Sequence, residues 1–157
     1  MANKTTPATK NEIERFHSWL ATEDPLSIAT HMHVDADAAF SAALLSVLKP
    51  KAQVVFVSAD SKIEDARTLG VDLSIGERTI KGLDIGSAFG LLVLGMKSID
   101  RPIYRALRSW AFQLNLTDSG RGCRDAVVLA ELVKAWRSLG MEDMGCFKRA
   151  KETPPKV

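Results

Sequence analysis

The chain has 157 residues, 46% hydrophobic and 25% charged, with a formal net charge of +2. That length suits one domain that buries roughly two thirds of its unfolded surface, so its core needs no disulfide or metal staple. The near-balanced charge makes no demand for a nucleic-acid or membrane partner, and no apolar run approaches the ~20 residues of a membrane helix.

In chain order, residues 1–10 are mostly Thr, Lys and Ala and are expected to be disordered. Asn11 suits the cap of a first helix whose apolar stripe is Ile13, Phe16, Trp19 and Leu20. After Pro25, Leu26-Ser27-Ile28-Ala29 reads as a short buried strand. Ala38 to Leu48 then reads as a helix, apolar nearly all round and stopped by Pro50. Gln53 to Val57 is a second strand, Ser61 to Leu69 a short helix, and Val71-Asp72-Leu73 a third strand after Gly70. Ile80 to Leu83 is read as a further strand, and Ser87 caps a helix that runs through Met96. Pro102 opens a helix over Arg101 to Leu116, a second covers Cys123 to Leu139, and a last turn lies near Cys146. The Lys- and Pro-containing tail, 150–157, is again expected to be disordered.

These elements predict a single α/β domain over 11–149, a three-layer sandwich with a small, mostly parallel sheet flanked by helices and a helical C-terminal half. Cys123 and Cys146 have no metal or redox spacing, and the opening residues do not read as a charged-then-apolar leader. Both features suit a cytoplasmic protein without structural disulfides. The apolar helices from Arg101 onward suggest packing against a second copy as a homodimer.

The chemistry concentrates in Thr30-His31-Met32-His33-Val34-Asp35-Ala36-Asp37, two imidazoles and two carboxylates between an apolar strand and an apolar helix. In open α/β sheets the carboxyl ends of the strands are where ligands bind. Asp72 follows a strand and shares that edge if the strands run parallel, which makes it a natural bridging carboxylate. Asp118 lies in a polar loop ahead of a helix, where backbone N–H groups near Ser119 and Gly120, with Arg121 or Arg124, could hold an anion. Oxygen ligands with one imidazole favour Mn²⁺ or Mg²⁺ over zinc. Four carboxylates brought together without cations would repel, and some would take up protons. Taken singly, each residue has a plainer reading: a surface histidine, a strand-end carboxylate, a helix-capping aspartate.

The stretch from His31 to Ser41 resembles the first motif of the DHH phosphoesterase superfamily, with Asp35, Ala36, Asp37, Ala38 and Ser41 in matching positions. His33 and Val34 stand where that family usually has Asn and Pro. Val71-Asp72 is similar to the second motif, and Asn115 to Gly120, with Asp118, to the fourth. The third motif departs: Asp84-Ile85-Gly86 stands where the family carries Asp-His-His. The chain also stops short of the second, substrate-binding domain that most members append.

The resemblance implies one metal held by His31, Asp35 and Asp72 and a second held by Asp37, Asp72 and Asp118, with Asp35, Asp37 and Asp72 at the catalytic centre. A water, or His33, would have to stand in for the missing imidazole of the second site. The implied activity is Mn²⁺- or Mg²⁺-dependent hydrolysis of a phosphoester in a nucleotide or short oligonucleotide. The alternative is a DHH-like pseudoenzyme that binds a nucleotide, a metal or a protein without turnover. His31-Met32-His33-Val34-Asp35 also looks like the start of a metallo-β-lactamase motif, but that motif needs further downstream histidines, and the only other histidine, His17, lies upstream. A haloacid-dehalogenase reading of Asp35-Ala36-Asp37 fails because His31 and His33 interrupt the apolar strand that should lead into the nucleophile.

Overall fold

Thr6 and Pro7 start the first helix earlier than the apolar stripe alone suggests. The Thr6 side chain accepts the Thr9 N–H, and Pro7 occupies the first turn, where it has no N–H to leave unsatisfied. Helix α1 therefore spans Pro7–Ala21, and residues 7–10 are helical where disorder was expected, with Thr6 in place of Asn11 as the cap. The computed structural model describes residues 5–24, 26–74, 76–118 and 142–152.

Four strands follow: β1 (Ser27–His31), β2 (Gln53–Val57), β3 (Thr68–Val71) and β4 (Thr79–Ile80). They form one sheet in the order β2-β1-β3-β4, every pair parallel. Helix α2 (Ala36–Leu48) joins β1 to β2, and α3 (Ala88–Met96) and α4 (Arg101–Asp118) follow β4. A last helix, α5 (Asp143–Glu152), packs on α2. The α/β architecture with a small helix-flanked parallel sheet is thus the one the residue pattern predicts.

Burial explains the nearly all-apolar character of α2, in which Ala36 through Ser46 are buried. Its small alanines let it pack closely on β1, β3, α3 and α5. Phe40 meets Phe89 of α3 and Trp110 of α4 edge-on, with ring centroids 6.1 and 5.4 Å apart, and this aromatic cluster ties the three helices together.

Several elements differ from expectation. Residues 61–67 form no helix, because acidic side chains there bond to the local backbone and hydroxyls instead: Asp65 accepts the Arg67 N–H and the Thr68 hydroxyl, both at 3.0 Å, and Asp60 accepts the Ser58 hydroxyl. The third strand consequently starts at Thr68 and ends at Val71, which leaves Asp72 just beyond it with φ +55°. The fourth is only Thr79–Ile80, since the chain turns at Gly82, where φ is +69° and a Cβ would run into the Ser87 carbonyl. Ser87 does cap α3, accepting the Gly90 N–H, as predicted. Helix α5 continues to Glu152, three residues into the stretch expected to be disordered. The helix expected over Cys123 to Leu139 lies outside the described residues. No described helix is long and apolar enough to cross a membrane.

The order β2-β1-β3-β4 has a functional consequence. From β1 the chain passes through α2 to one neighbour, β2, then returns past β1 to its other neighbour, β3. The connections therefore reverse direction at the β1/β3 boundary, the position in an open parallel sheet where a crevice forms beyond the strand ends.

The loop after β1 is held from the far end of the chain. Asp143, the first residue of α5, accepts the backbone N–H groups of His33 at 3.0 Å and Val34 at 2.9 Å. This clamp supports His33 in a left-handed conformation, φ 57°. Asp143→Ala is expected to lower stability by about 1–3 kcal/mol, the cost of removing a charged acceptor from two N–H groups, measurable by urea unfolding. Asp143→Asn should restore part of that loss.

Candidate metal centre

His31 is the last residue of β1 and Asp72 the first residue past β3, so adjacent parallel strands deliver them to one rim. Beneath them the buried Thr30 hydroxyl donates to the Val71 carbonyl at 2.9 Å, tying the two strand ends together. His31 Nε2 lies 3.1 Å from Asp72 Oδ2 and 3.8 Å from Asp35 Oδ1. Its Nδ1 lies 2.9 Å from the Met32 carbonyl. Both ring nitrogens thus face acceptors, which only the doubly protonated imidazolium can satisfy. Accordingly, the hydrogen bond to Asp72 raises the His31 pKa to about 9, against the opposing effect of burial.

Asp72 is only 6% exposed. Burial works against its ionisation, but hydrogen bonds from His31 and Lys81 and the charge of both hold its pKa below the ordinary value. Lys81 Nζ donates to Asp72 Oδ1 at 2.5 Å. The two oxygens of Asp72 therefore have different cationic partners. Burial also opposes the charge on Lys81, and the hydrogen bond and charge of Asp72, with Asp37 and Asp35 beyond it, keep its pKa raised.

Asp35 sits at the mouth, its side chain 57% exposed. Its Oδ1 caps α2 by accepting the Ala38 N–H at 2.9 Å. Hydration lost on the inner side and the negative charge of Asp72 push its pKa up.

The donor atoms of His31, Asp35 and Asp72 all lie within 4.8 Å of one another. Ligands at about 2.1 Å from an octahedral ion sit about 3 Å apart when adjacent and about 4.2 Å apart when opposite. The two separations from His31, 3.1 and 3.8 Å, fall within that range, so the three residues could hold a divalent cation once His31 gives up a proton. They line a cleft of about 400 Å³ together with Ser74, Lys81 and Gly82.

Asp37 is placed differently from what the motif spacing suggests. It is 1% exposed, and its carboxylate accepts the N–H groups of Ala88 (2.9 Å) and Phe89 (2.7 Å) and the Ser41 hydroxyl (3.3 Å). It anchors the N-terminus of α3, where a negative charge also meets the positive end of the helix dipole. The structure does not bring it among the donor atoms of His31, Asp35 and Asp72. His33 is exposed and likewise outside that group. Asp118 ends α4, but its side chain, and Ser119, Gly120, Arg121 and Arg124, lie outside the described residues.

The segment Asp84-Ile85-Gly86 forms a turn. Asp84 accepts the Thr6 hydroxyl at 2.7 Å. Gly86 has φ +118°, and a Cβ there would stand 2.8 Å from the Asn115 carbonyl oxygen. No histidine fits that position in this backbone.

Lys81 and its support are what the sequence reading missed. Glu12 of α1 accepts the backbone N–H groups of Lys81 at 2.7 Å and Gly82 at 3.2 Å, so one carboxylate holds the chain on both sides of the Lys81 carbonyl. The available signal was slight: a lysine immediately after an apolar strand end.

The raised His31 pKa sets the sign of a pH effect. Stabilisation from the protonated imidazole is fully present below pH 6.5 and lost as pH rises through about 9. Metal-free protein should lose stability across that window, and His31→Gln should flatten the profile in urea unfolding. Asp37→Ala is expected to cost roughly 2–4 kcal/mol, because it leaves the first N–H groups of α3 buried and unmet. Asp35→Asn, which keeps a capping side chain, should change stability by only a few tenths of a kcal/mol.

Comparison with protein-family profiles, curated proteins and solved structures returns no match, so the functional reading rests on these residues themselves.

Proposed function

We propose that the chain is a divalent-cation-dependent phosphohydrolase of the DHH type, acting on a phosphoester of a nucleotide or short oligonucleotide. One observation carries the reading: His31 and Asp35 from the β1–α2 connection and Asp72 from the end of β3 converge at the β1/β3 reversal point of a parallel sheet. Two carboxylates and one imidazole suit Mn²⁺ or Mg²⁺. Bound there, such an ion supplies Lewis-acid polarisation of a phosphoryl group and lowers the pKa of an attacking water.

The protein's own residues supply orientation. Asp72 is held at both oxygens, so it presents one fixed geometry to the cleft. The Met32 carbonyl takes the Nδ1–H of His31 and leaves Nε2 as the metal-facing nitrogen, the tautomer that a ligating histidine needs. The cap that Asp35 makes on α2 fixes its carboxylate at the mouth. A cleft of about 400 Å³ is of the size that takes a small phosphate-bearing molecule. The anion-holding role expected of Ser119, Gly120, Arg121 and Arg124 belongs to this proposal.

The test is Mn²⁺-dependent hydrolysis of bis(p-nitrophenyl) phosphate and of dinucleotides by the full chain. Product is expected only with Mn²⁺ or Mg²⁺, and His31→Gln and Asp72→Asn should each reduce it roughly 100-fold or more. Tight Mn²⁺ binding with no product from any of these substrates would replace this reading with the binding-module alternative. No Mn²⁺ binding at all would overturn both.

A further inference from the structure

We propose that the Lys81 ammonium is a built-in second cation of this centre, so that the site takes one divalent ion and binds an anionic phosphoryl group between that ion and Lys81. The inference rests on the metal reading above and adds the stoichiometry and a ligand-contacting residue.

Asp72 carries it. Its Oδ2 faces His31, on the side of the candidate metal ligands, and its Oδ1 faces Lys81 Nζ at 2.5 Å. A carboxylate spanning two cationic positions is the arrangement of a bridging ligand, and here one position is already filled by a covalently attached charge. A divalent ion can take the His31 side, where Asp35 Oδ1 also lies 3.8 Å from His31 Nε2. On the Lys81 side it would have to displace the ammonium that sits 2.5 Å from Asp72 Oδ1.

Lys81 is also placed to touch a ligand. Its side chain is 38% exposed and lines the same cleft as His31 and Asp35. Among the described residues Nζ has one hydrogen-bond partner, Asp72, and an ammonium carries three donors. Most surface lysines wander, but this one springs from a backbone that Glu12 clamps through the N–H groups of residues 81 and 82. A phosphate-type anion can accept from the remaining donors while its other oxygens face the divalent ion, whereas a neutral ligand gains nothing from the ammonium.

The experiment uses the full chain, Mn²⁺ counted by calorimetry and electron paramagnetic resonance, and inorganic phosphate as the probe. Wild type is expected to bind one Mn²⁺ with an uncoupled six-line spectrum. With Mn²⁺ present, Lys81→Met should weaken phosphate binding at least about 10-fold while retaining the ion, and Lys81→Arg should recover most of the loss. Two spin-coupled Mn²⁺ ions in wild type, or phosphate affinity unchanged in Lys81→Met, would overturn the proposal and leave the metal centre standing. No bound Mn²⁺ in wild type would instead overturn the metal reading beneath it. Should Lys81→Met fail to fold, the wild-type ion count still decides, and Glu12→Gln, which loosens the 81–82 backbone from outside the cleft, should weaken phosphate binding in the same direction.

Discussion

A carboxylate removed from water must find positive charge or give up its own, and Asp72 is placed where both outcomes are open to it. With His31 on one oxygen and Lys81 on the other, it stays ionised. That ionic chain joins the end of β1, the end of β3 and the exit of β4, so three adjacent parallel strands are tied at one rim by side chains as well as by the ladder. The surrounding cleft takes its character from this arrangement. Exchanging the proton on His31 for a divalent ion would keep positive charge beside Asp72 and add one unit of it, which the carboxylate of Asp35 at the mouth is placed to offset.

The three aspartates of the centre's neighbourhood show how environment assigns roles to one residue type. Asp35 and Asp37 lie on the same helical turn, yet one is at the mouth and the other is almost wholly buried. Asp35 caps the helix that begins beside it, and Asp37 caps a different helix, reaching α3 across the core. Asp72 does neither, because its strand ends before it and its backbone turns left-handed. The anchoring by Asp37 sets α3 against α2, and the tight contact of Gly86 with Asn115 seats the turn before α3 on α4. The close packing of that turn admits no side chain at Gly86.

Two carboxylates outside the centre hold its loops in place. Glu12 reaches from α1 to the 81–82 backbone, and Asp143 reaches from α5 to the 33–34 backbone. Each meets N–H groups that have left the sheet and would otherwise be unsatisfied. The loops of the site are in this sense braced from both ends of the chain, and Lys81 gains a fixed origin that its own flexible stem could not provide.

The residue pattern alone determined the α/β class, because Ile28-Ala29 and the nearly all-apolar α2 must be buried and apolar strands alternating with such helices make a parallel sheet, although β2, at the sheet edge, is only half-buried where full burial was expected. It also located His31, Asp35 and Asp72 at the ligand-binding edge, since each follows or precedes an element end that local composition marks. Only the tertiary structure decided which carboxylates face the cleft. Helical spacing says that Asp37 lies two residues from Asp35, but not that the N-terminus of α3 will arrive to take both of its oxygens. Nor does any local signal connect Lys81 to Asp72, Glu12 to Lys81 or Asp143 to His33, because these pairs meet through sheet order and helix packing, and local periodicity carries no information about partners that distant along the chain.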